Sequence, residues 1–221
     1  MPYGRNQFDA VARDLVSRKF AVWNLEYRRL GEPAGGWPET LGDVAAGIDH
    51  LAALGAEDAD LDLSRVFVAG HSAGGQLALW ASARQAGHAS PRASTRVRPI
   101  GVAGLAAALD LAALFAIGAG NQAVGELLGG SPVEQAARYT AASPLTPLPL
   151  GVAQLVVHGA VDEVLPIHVT RHYVHAATAA GDSIEFQEFP RLGHMDYLDP
   201  KSEAHGALCG WLEAAAFPHG T

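Results

Sequence analysis

Three residues in a fixed order could carry out nucleophilic chemistry in this chain: Ser72, Asp162 and His194. Ser72 lies in Gly70-His71-Ser72-Ala73-Gly74-Gly75, behind the apolar run Arg65-Val66-Phe67-Val68-Ala69 and ahead of the helix-forming run Gln76-Leu77-Ala78-Leu79-Trp80-Ala81. Strand, Gly-x-Ser-x-Gly, helix is the order of a nucleophile elbow, a tight turn that lifts the serine hydroxyl above a sheet. Glycines two residues to either side of Ser72 are expected because a side chain there would collide with the adjoining strand or helix. The helix behind the turn aims its positive end at any anion formed beside Ser72, and the N–H of Ala73 is the natural first oxyanion donor.

A serine of this kind needs a base, and the base needs an acid to orient it. His194 lies in Gly193-His194-Met195-Asp196, and Asp162 in His158-Gly159-Ala160-Val161-Asp162-Glu163-Val164-Leu165-Pro166. Each follows a predicted strand, so both can meet Ser72 at one sheet edge. Glu163 is the neighbouring rival acid, and Asp110 a third candidate that reads more simply as a turn residue. His71 is expected to pack or bond locally. His168, His172 and His175 recur on one helix face at a spacing that could hold a metal, but no carboxylate or cysteine nearby completes a site, so we expect a solvated face and no metal. The chain carries no glycine-rich phosphate loop.

The elements that must position these residues follow from periodicity. A helix is predicted over 6–19, with Asn6 as its cap, then a buried strand over 20–26 and a loop over 27–38 punctuated by Gly31, Pro33, Gly35, Gly36 and Pro38. Pro38 suits the first position of a helix whose Leu41, Val44, Ala45, Ile48 and Leu51 form one apolar stripe. After the elbow helix come a loop over 86–98, a buried strand over 99–105, a strand over 154–157, a helix over 167–180, a strand over 183–189 and a closing helix over 200–216. Residues 106–150 break the alternation and read as a small helical cap over the site, with one helix opening on the capping-box pattern Ser131-Pro132-Val133-Glu134. The apolar residues of the cap are expected mainly to pack, and together to line an apolar pocket. Trp37, in Gly35-Gly36-Trp37-Pro38, could form an aromatic wall for a substrate or simply pack.

The chain has 221 residues, 49% of them hydrophobic and 17% charged, which suits one compact α/β domain over 1–221 with a mostly parallel sheet covered on both faces. A net charge of −8 disfavours nucleic acid or an anionic membrane as a partner. The single cysteine, Cys209, excludes an internal disulfide and is expected to be core packing; with no signal peptide or membrane span in view, the expected location is the cytoplasm.

With elbow, acid and histidine placed, the chain resembles the α/β-hydrolase esterases, and within them the bacterial branch of kynurenine formamidase-like and hormone-sensitive-lipase-like carboxylesterases. The resemblance rests on Glu26-Tyr27-Arg28, the elbow, Asp162 within Asp-Glu-Val-Leu-Pro, and Gly193-His194 followed by Leu198-Asp199-Pro200. It implies a serine hydrolase cleaving small esters or activated amides such as aryl formamides through an acyl-enzyme on Ser72, without a cofactor. The alternatives are a prolyl-oligopeptidase-type serine peptidase and a weak or inactive hydrolase-like binding protein. Members of the family carry, before the first helix, a strand ending in a His-Gly-Gly-type loop that gives the second oxyanion donor; this sequence opens on Met1-Pro2-Tyr3-Gly4-Arg5. The expectation is therefore an N-terminally truncated form, either an internal start within a longer protein or a homologue of reduced activity, re-paired through a homodimer.

Overall fold

A computed structural model describes residues 4–84 and 96–216. Its centre is a four-stranded parallel sheet in the order β1-β2-β3-β4, formed by Phe67–His71, Gly101–Leu105, Ala153–Gly159 and Ile184–Phe189. Register is continuous across the sheet: Gly70 pairs with Gly104, and Gly104 with Val156.

The helices are α1 (Asp9–Ser17), α2 (Glu39–Asp49), α3 (Leu51–Glu57), α4 (Ala73–Ala83), α5 (Leu111–Ala116), α6 (Ala123–Leu128), α7 (Ala136–Ala142), α8 (Ile167–Ala179) and α9 (Glu203–Ala216). Strand order follows chain order, so right-handed crossovers place every connecting helix on one face of the sheet. Packing agrees. Val102 and Val156 meet Leu79 of α4 and Tyr173 of α8, whereas Ala103, Leu105, Leu155 and Val157 meet Leu15 of α1 and Leu208 and Leu212 of α9. The two-residue period of the strands thus splits the core into two layers. Helix α4 is buried from Gly75 to Ala83, the expected state of an element enclosed between the sheet and α2.

The predicted strand over 20–26 does not join the sheet. This stretch is held by other means: Trp23 Nε1 donates to the Gly47 carbonyl at 3.0 Å and Asn24 Nδ2 to the Arg5 carbonyl at 3.0 Å. A strand exists only where another backbone takes its ladder bonds, and no described strand lies alongside this one. β1 is accordingly the edge of the described sheet, with Ala69 exposed.

Smaller corrections concern helix ends. Asn6 lies inside a short 3-10 turn, Arg5–Phe8, and caps nothing; α1 begins at Asp9. Pro38 is the residue before α2 and not its first. Ser131 and Glu134 do exchange capping bonds, at 2.9 and 3.3 Å, but they close a turn and α7 begins later, at Ala136. In the 106–150 segment Leu111, Leu114, Val124 and Leu128 pack with Leu41, Val44 and Leu77 of α2 and α4. The predicted loop over 86–98 falls largely outside the described residues.

Candidate functional site

At the C-terminal end of β1 the chain turns through Ser72, whose φ of +56° and ψ of −119° form a corner that L-residues seldom adopt. Such a conformation costs about 1–3 kcal/mol and persists where the surroundings enforce it. A Cβ on Gly70 would stand 2.1 Å from the Gly74 carbonyl oxygen, and one on Gly75 would stand 2.6 Å from the Ala107 Cβ. Gly74 has room, its nearest neighbour being the Tyr27 hydroxyl at 3.9 Å. The tight glycines are therefore Gly70 and Gly75, a correction to the symmetric expectation: α4 presses on the chain after β2 one residue later than the motif suggests. Ala73 is exposed at the first turn of α4, where amides have no acceptor within the helix.

The structure brings the three expected residues together. His194 Nε2 is 2.9 Å from Ser72 Oγ, and His194 Nδ1 is 2.8 Å from Asp162 Oδ2. Ser72 is half-buried, the His194 side chain is 10% exposed and that of Asp162 is 0% exposed. The other Asp162 oxygen, Oδ1, accepts the N–H groups of Val164 and Leu165 at 2.8 and 2.9 Å. One carboxylate thus closes its own turn and holds the imidazole. Burial works to raise the Asp162 carboxyl, but hydrogen bonds from His158, His194 and the Leu165 N–H outweigh it and hold the group well below the usual carboxylate range. Glu163 is exposed and makes no such contact, and Asp110 caps α5 by accepting the Ala113 N–H at 3.0 Å.

Three residues that the sequence did not single out for this work support the arrangement. His158, fully buried at the end of β3, accepts from the Thr170 hydroxyl at 2.7 Å and donates to the Leu165 carbonyl at 2.9 Å, with Asp162 Oδ2 3.4 Å away. A histidine ending the apolar run Leu155-Val156-Val157 was the one signal available. Tyr197, also fully buried, accepts the Gly159 N–H at 2.5 Å. His71 does not bond locally: its Nε2 lies 2.6 Å from the carbonyl of His194, 123 residues along the chain.

Burial, and after it the nearby His194, pushes the His71 imidazole down from 6.5 to about 4. A histidine kept neutral when folded takes its proton more readily when unfolded. Its contribution is therefore present above pH 6.5 and is lost as pH falls from about 6.5 towards 4. We expect the stability difference between the wild type and His71→Phe, measured by urea denaturation, to shrink by about 2–3 kcal/mol over that interval. A difference constant with pH would contradict this.

An open cavity of about 260 Å³ is lined by Glu26, Tyr27, Arg28, Arg29, Glu32 and Asp43. The Arg28 guanidinium grips Asp43 with two bonds, at 2.8 and 2.7 Å, its peptide N–H adds a third at 3.0 Å, and Arg29 pairs with Glu32. Tyr27 joins the cavity to the first turn of α4 through its hydroxyl beside Gly74. Trp37 is half-buried against the core formed by α2 and α4, and its peptide N–H donates to Leu127 at 2.9 Å.

Among the described residues the close group of metal-ligand types is Asp14, His205 and Cys209, remote in sequence from the elbow. His205 Nε2 lies 2.7 Å from Asp14 Oδ2 and 3.2 Å from Cys209 Sγ. Arg18 also donates to that Asp14 oxygen, at 2.7 Å, and burial pushes the Cys209 thiol up to about 11. The cluster ties α1 to α9. His168, His172 and His175 are exposed along α8.

A family model described as BD-FAE matches residues 3–176. Comparison with curated proteins gives no match. Among solved structures, a bifunctional GH43-CE protein of Bacteroides eggerthii is similar at 23% identity with a TM-score of 0.78, over 96% of this chain and 31% of that one. A truncated carbohydrate esterase from gut microbiota is similar at 20% identity with a TM-score of 0.72, over 87% of this chain and 73% of that one. A thermophilic esterase from the Planctomycetes species Thermogutta terrifontis follows at 18% identity with a TM-score of 0.67, over 98% and 79%. The chain therefore spans 31% of the first of these proteins and about three quarters of the others. These likenesses show a shared α/β-hydrolase fold. No described helix is long and apolar enough to cross a membrane.

Proposed function

Because this chain belongs to the BD-FAE family, we propose that it hydrolyses short-chain carboxylic esters, acetyl esters of carbohydrates foremost, through an acyl-enzyme on Ser72. The observation that carries this reading is the hydrogen-bonded series Ser72, His194, Asp162, at 2.9 and 2.8 Å, on a strained corner at the end of β1.

In the proposed reaction Ser72 Oγ attacks the ester carbonyl carbon while His194 Nε2 takes the hydroxyl proton. The carbonyl π electrons move onto oxygen, where the Ala73 N–H donates to the anion. Collapse of that intermediate expels the alcohol, which leaves with the proton held on His194. Water then repeats the sequence on the acyl carbon, giving the carboxylic acid and free Ser72. Asp162 accepts the Nδ1–H of His194 throughout and favours the imidazolium that forms.

The carbohydrate preference draws on the likeness to the carbohydrate esterase from gut microbiota and on the cavity that Tyr27 lines. Its paired arginines and carboxylates offer donors and acceptors together, which suits a neutral molecule rich in hydroxyls. Aryl formamides are the competing substrate class for the same series of residues. The test is release of acetate from acetylated xylo-oligosaccharides beside hydrolysis of p-nitrophenyl acetate and of an aryl formamide. The expected order in kcat/KM is acetylated sugar above aryl formamide by about tenfold or more, roughly 1.4 kcal/mol of discrimination. The reverse order would replace the carbohydrate assignment, and a folded protein that cleaves none of the three would overturn the reading.

A further inference from the structure

We propose that His71 is a positioning residue for the base, holding the His194 loop so that the His194 ring meets Ser72 on one side and Asp162 on the other. This rests on the ester-hydrolase reading of the site.

His71 ends β1 and directly precedes Ser72, so its backbone is fixed by the same corner that presents the nucleophile. Its Nε2 lies 2.6 Å from the His194 carbonyl oxygen. A carbonyl only accepts, so the proton of this ring sits on Nε2. Burial pushes the imidazole down to about 4, so the ring is neutral at pH 7. The ring is stacked on Tyr197, with centroids 5.5 Å apart and planes at 26°, and sits 4.8 Å from the His194 ring. Tyr197 in turn holds the N–H of Gly159, the last residue of β3, from which the chain runs on to Asp162.

One continuous brace therefore runs from the end of β1, through His71 and Tyr197, to the end of β3. The His194 loop lies across it. Within the loop Asp196 Oδ2 accepts the Gly193 N–H at 2.7 Å, the Asp196 N–H reaches the Gly193 carbonyl at 3.4 Å, and the Leu198 N–H reaches the Met195 carbonyl at 3.2 Å; none of these bonds is made by His194. Packing against Tyr197 asks only for a flat ring at position 71. The short bond to the His194 carbonyl asks for an N–H at one point of that ring, and it ties the residue before the nucleophile to the residue that must deprotonate it. A displacement of about 1 Å in a reacting group can cost on the order of a hundredfold in rate.

The test compares His71→Phe, which keeps the ring against Tyr197 and removes the N–H, with His71→Gln, whose side-chain amide can donate from a similar distance. With p-nitrophenyl acetate, His71→Phe should lower kcat by about ten- to a hundredfold while KM stays within about twofold, and His71→Gln should recover most of the loss. The low-field proton resonance of the His194–Asp162 hydrogen bond should be sharp in the wild type and in His71→Gln, and broadened in His71→Phe. Wild-type turnover and an unchanged resonance in His71→Phe would overturn the proposal, as would a His71→Gln variant no better than His71→Phe. Should the wild type cleave no ester, the reading of the site fails, while the resonance still decides whether His71 holds His194 against Asp162.

Discussion

Replacing Ser72 with alanine is expected to lower kcat by on the order of 10⁶-fold on any ester the wild type cleaves, and to abolish the single adduct that a fluorophosphonate leaves on the wild type. The size of the effect follows from the chemistry. In the proposed reaction Oγ is both the atom that attacks the carbonyl carbon and the atom that carries the acyl group, so without it the two-step route is closed. The fold should survive. Ser72→Ala removes one half-buried hydroxyl and its 2.9 Å bond to His194, while the corner at φ +56° is enforced by Gly70, Gly75 and the surrounding backbone and not by the hydroxyl. Intact mass after labelling reads the adduct, and circular dichroism confirms the fold. An adduct retained in Ser72→Ala would move the nucleophile elsewhere.

Asp162→Asn should lower kcat by about 10⁴-fold with the nucleophile in place. The direction of the amide decides this. Oδ1 of Asp162 accepts two backbone N–H groups, from Val164 and Leu165, so an asparagine must put its oxygen there and turn its NH₂ towards His194. The NH₂ can only donate, so His194 must offer it a bare Nδ1 and carry its proton on Nε2, facing Ser72. A base that already holds the proton cannot take one. The same NH₂ would also face His158 Nε2, 3.4 Å from the present carboxylate oxygen, setting donor against donor in a buried place. Stability should fall as well. A carboxyl held below its usual range contributes stability that is present above its unfolded pKa and is lost as pH falls through the folded one, so at neutral pH the wild type has the whole contribution and Asp162→Asn has none of it. The check is kcat with thermal melting at pH 7, and a variant within tenfold of wild type would show that His194 is oriented by something else.

Much of the site was legible because its parts are local patterns. Ser72 announces itself by glycines and by a strand before and a helix behind. The strands found at Gly101–Leu105 and Ile184–Phe189, and the helices at Ile167–Ala179 and Glu203–Ala216, lie within a few residues of their expected ends, because each is a continuous apolar or amphipathic run. The strand expected over 20–26 has an equally good pattern and does not form. β-structure needs a second backbone, and a pattern within one segment carries no information about whether that partner is there.

What the sequence determined by itself was the chemistry available: a serine on a forced turn, an acid and a histidine after later strands, and the α/β alternation that delivers them to one edge. What only the tertiary structure decided was how these groups are held. That Gly75 and not Gly74 is the crowded glycine depends on Ala107, that Asp162 divides its two oxygens depends on His158 and the turn after β3, and that His71 holds His194 depends on a contact between residues 123 positions apart. The physical reason is common to all three. A residue's type and its near neighbours set what it can donate, accept or fit, but partners brought in by folding from distant parts of the chain determine which of those capacities is used.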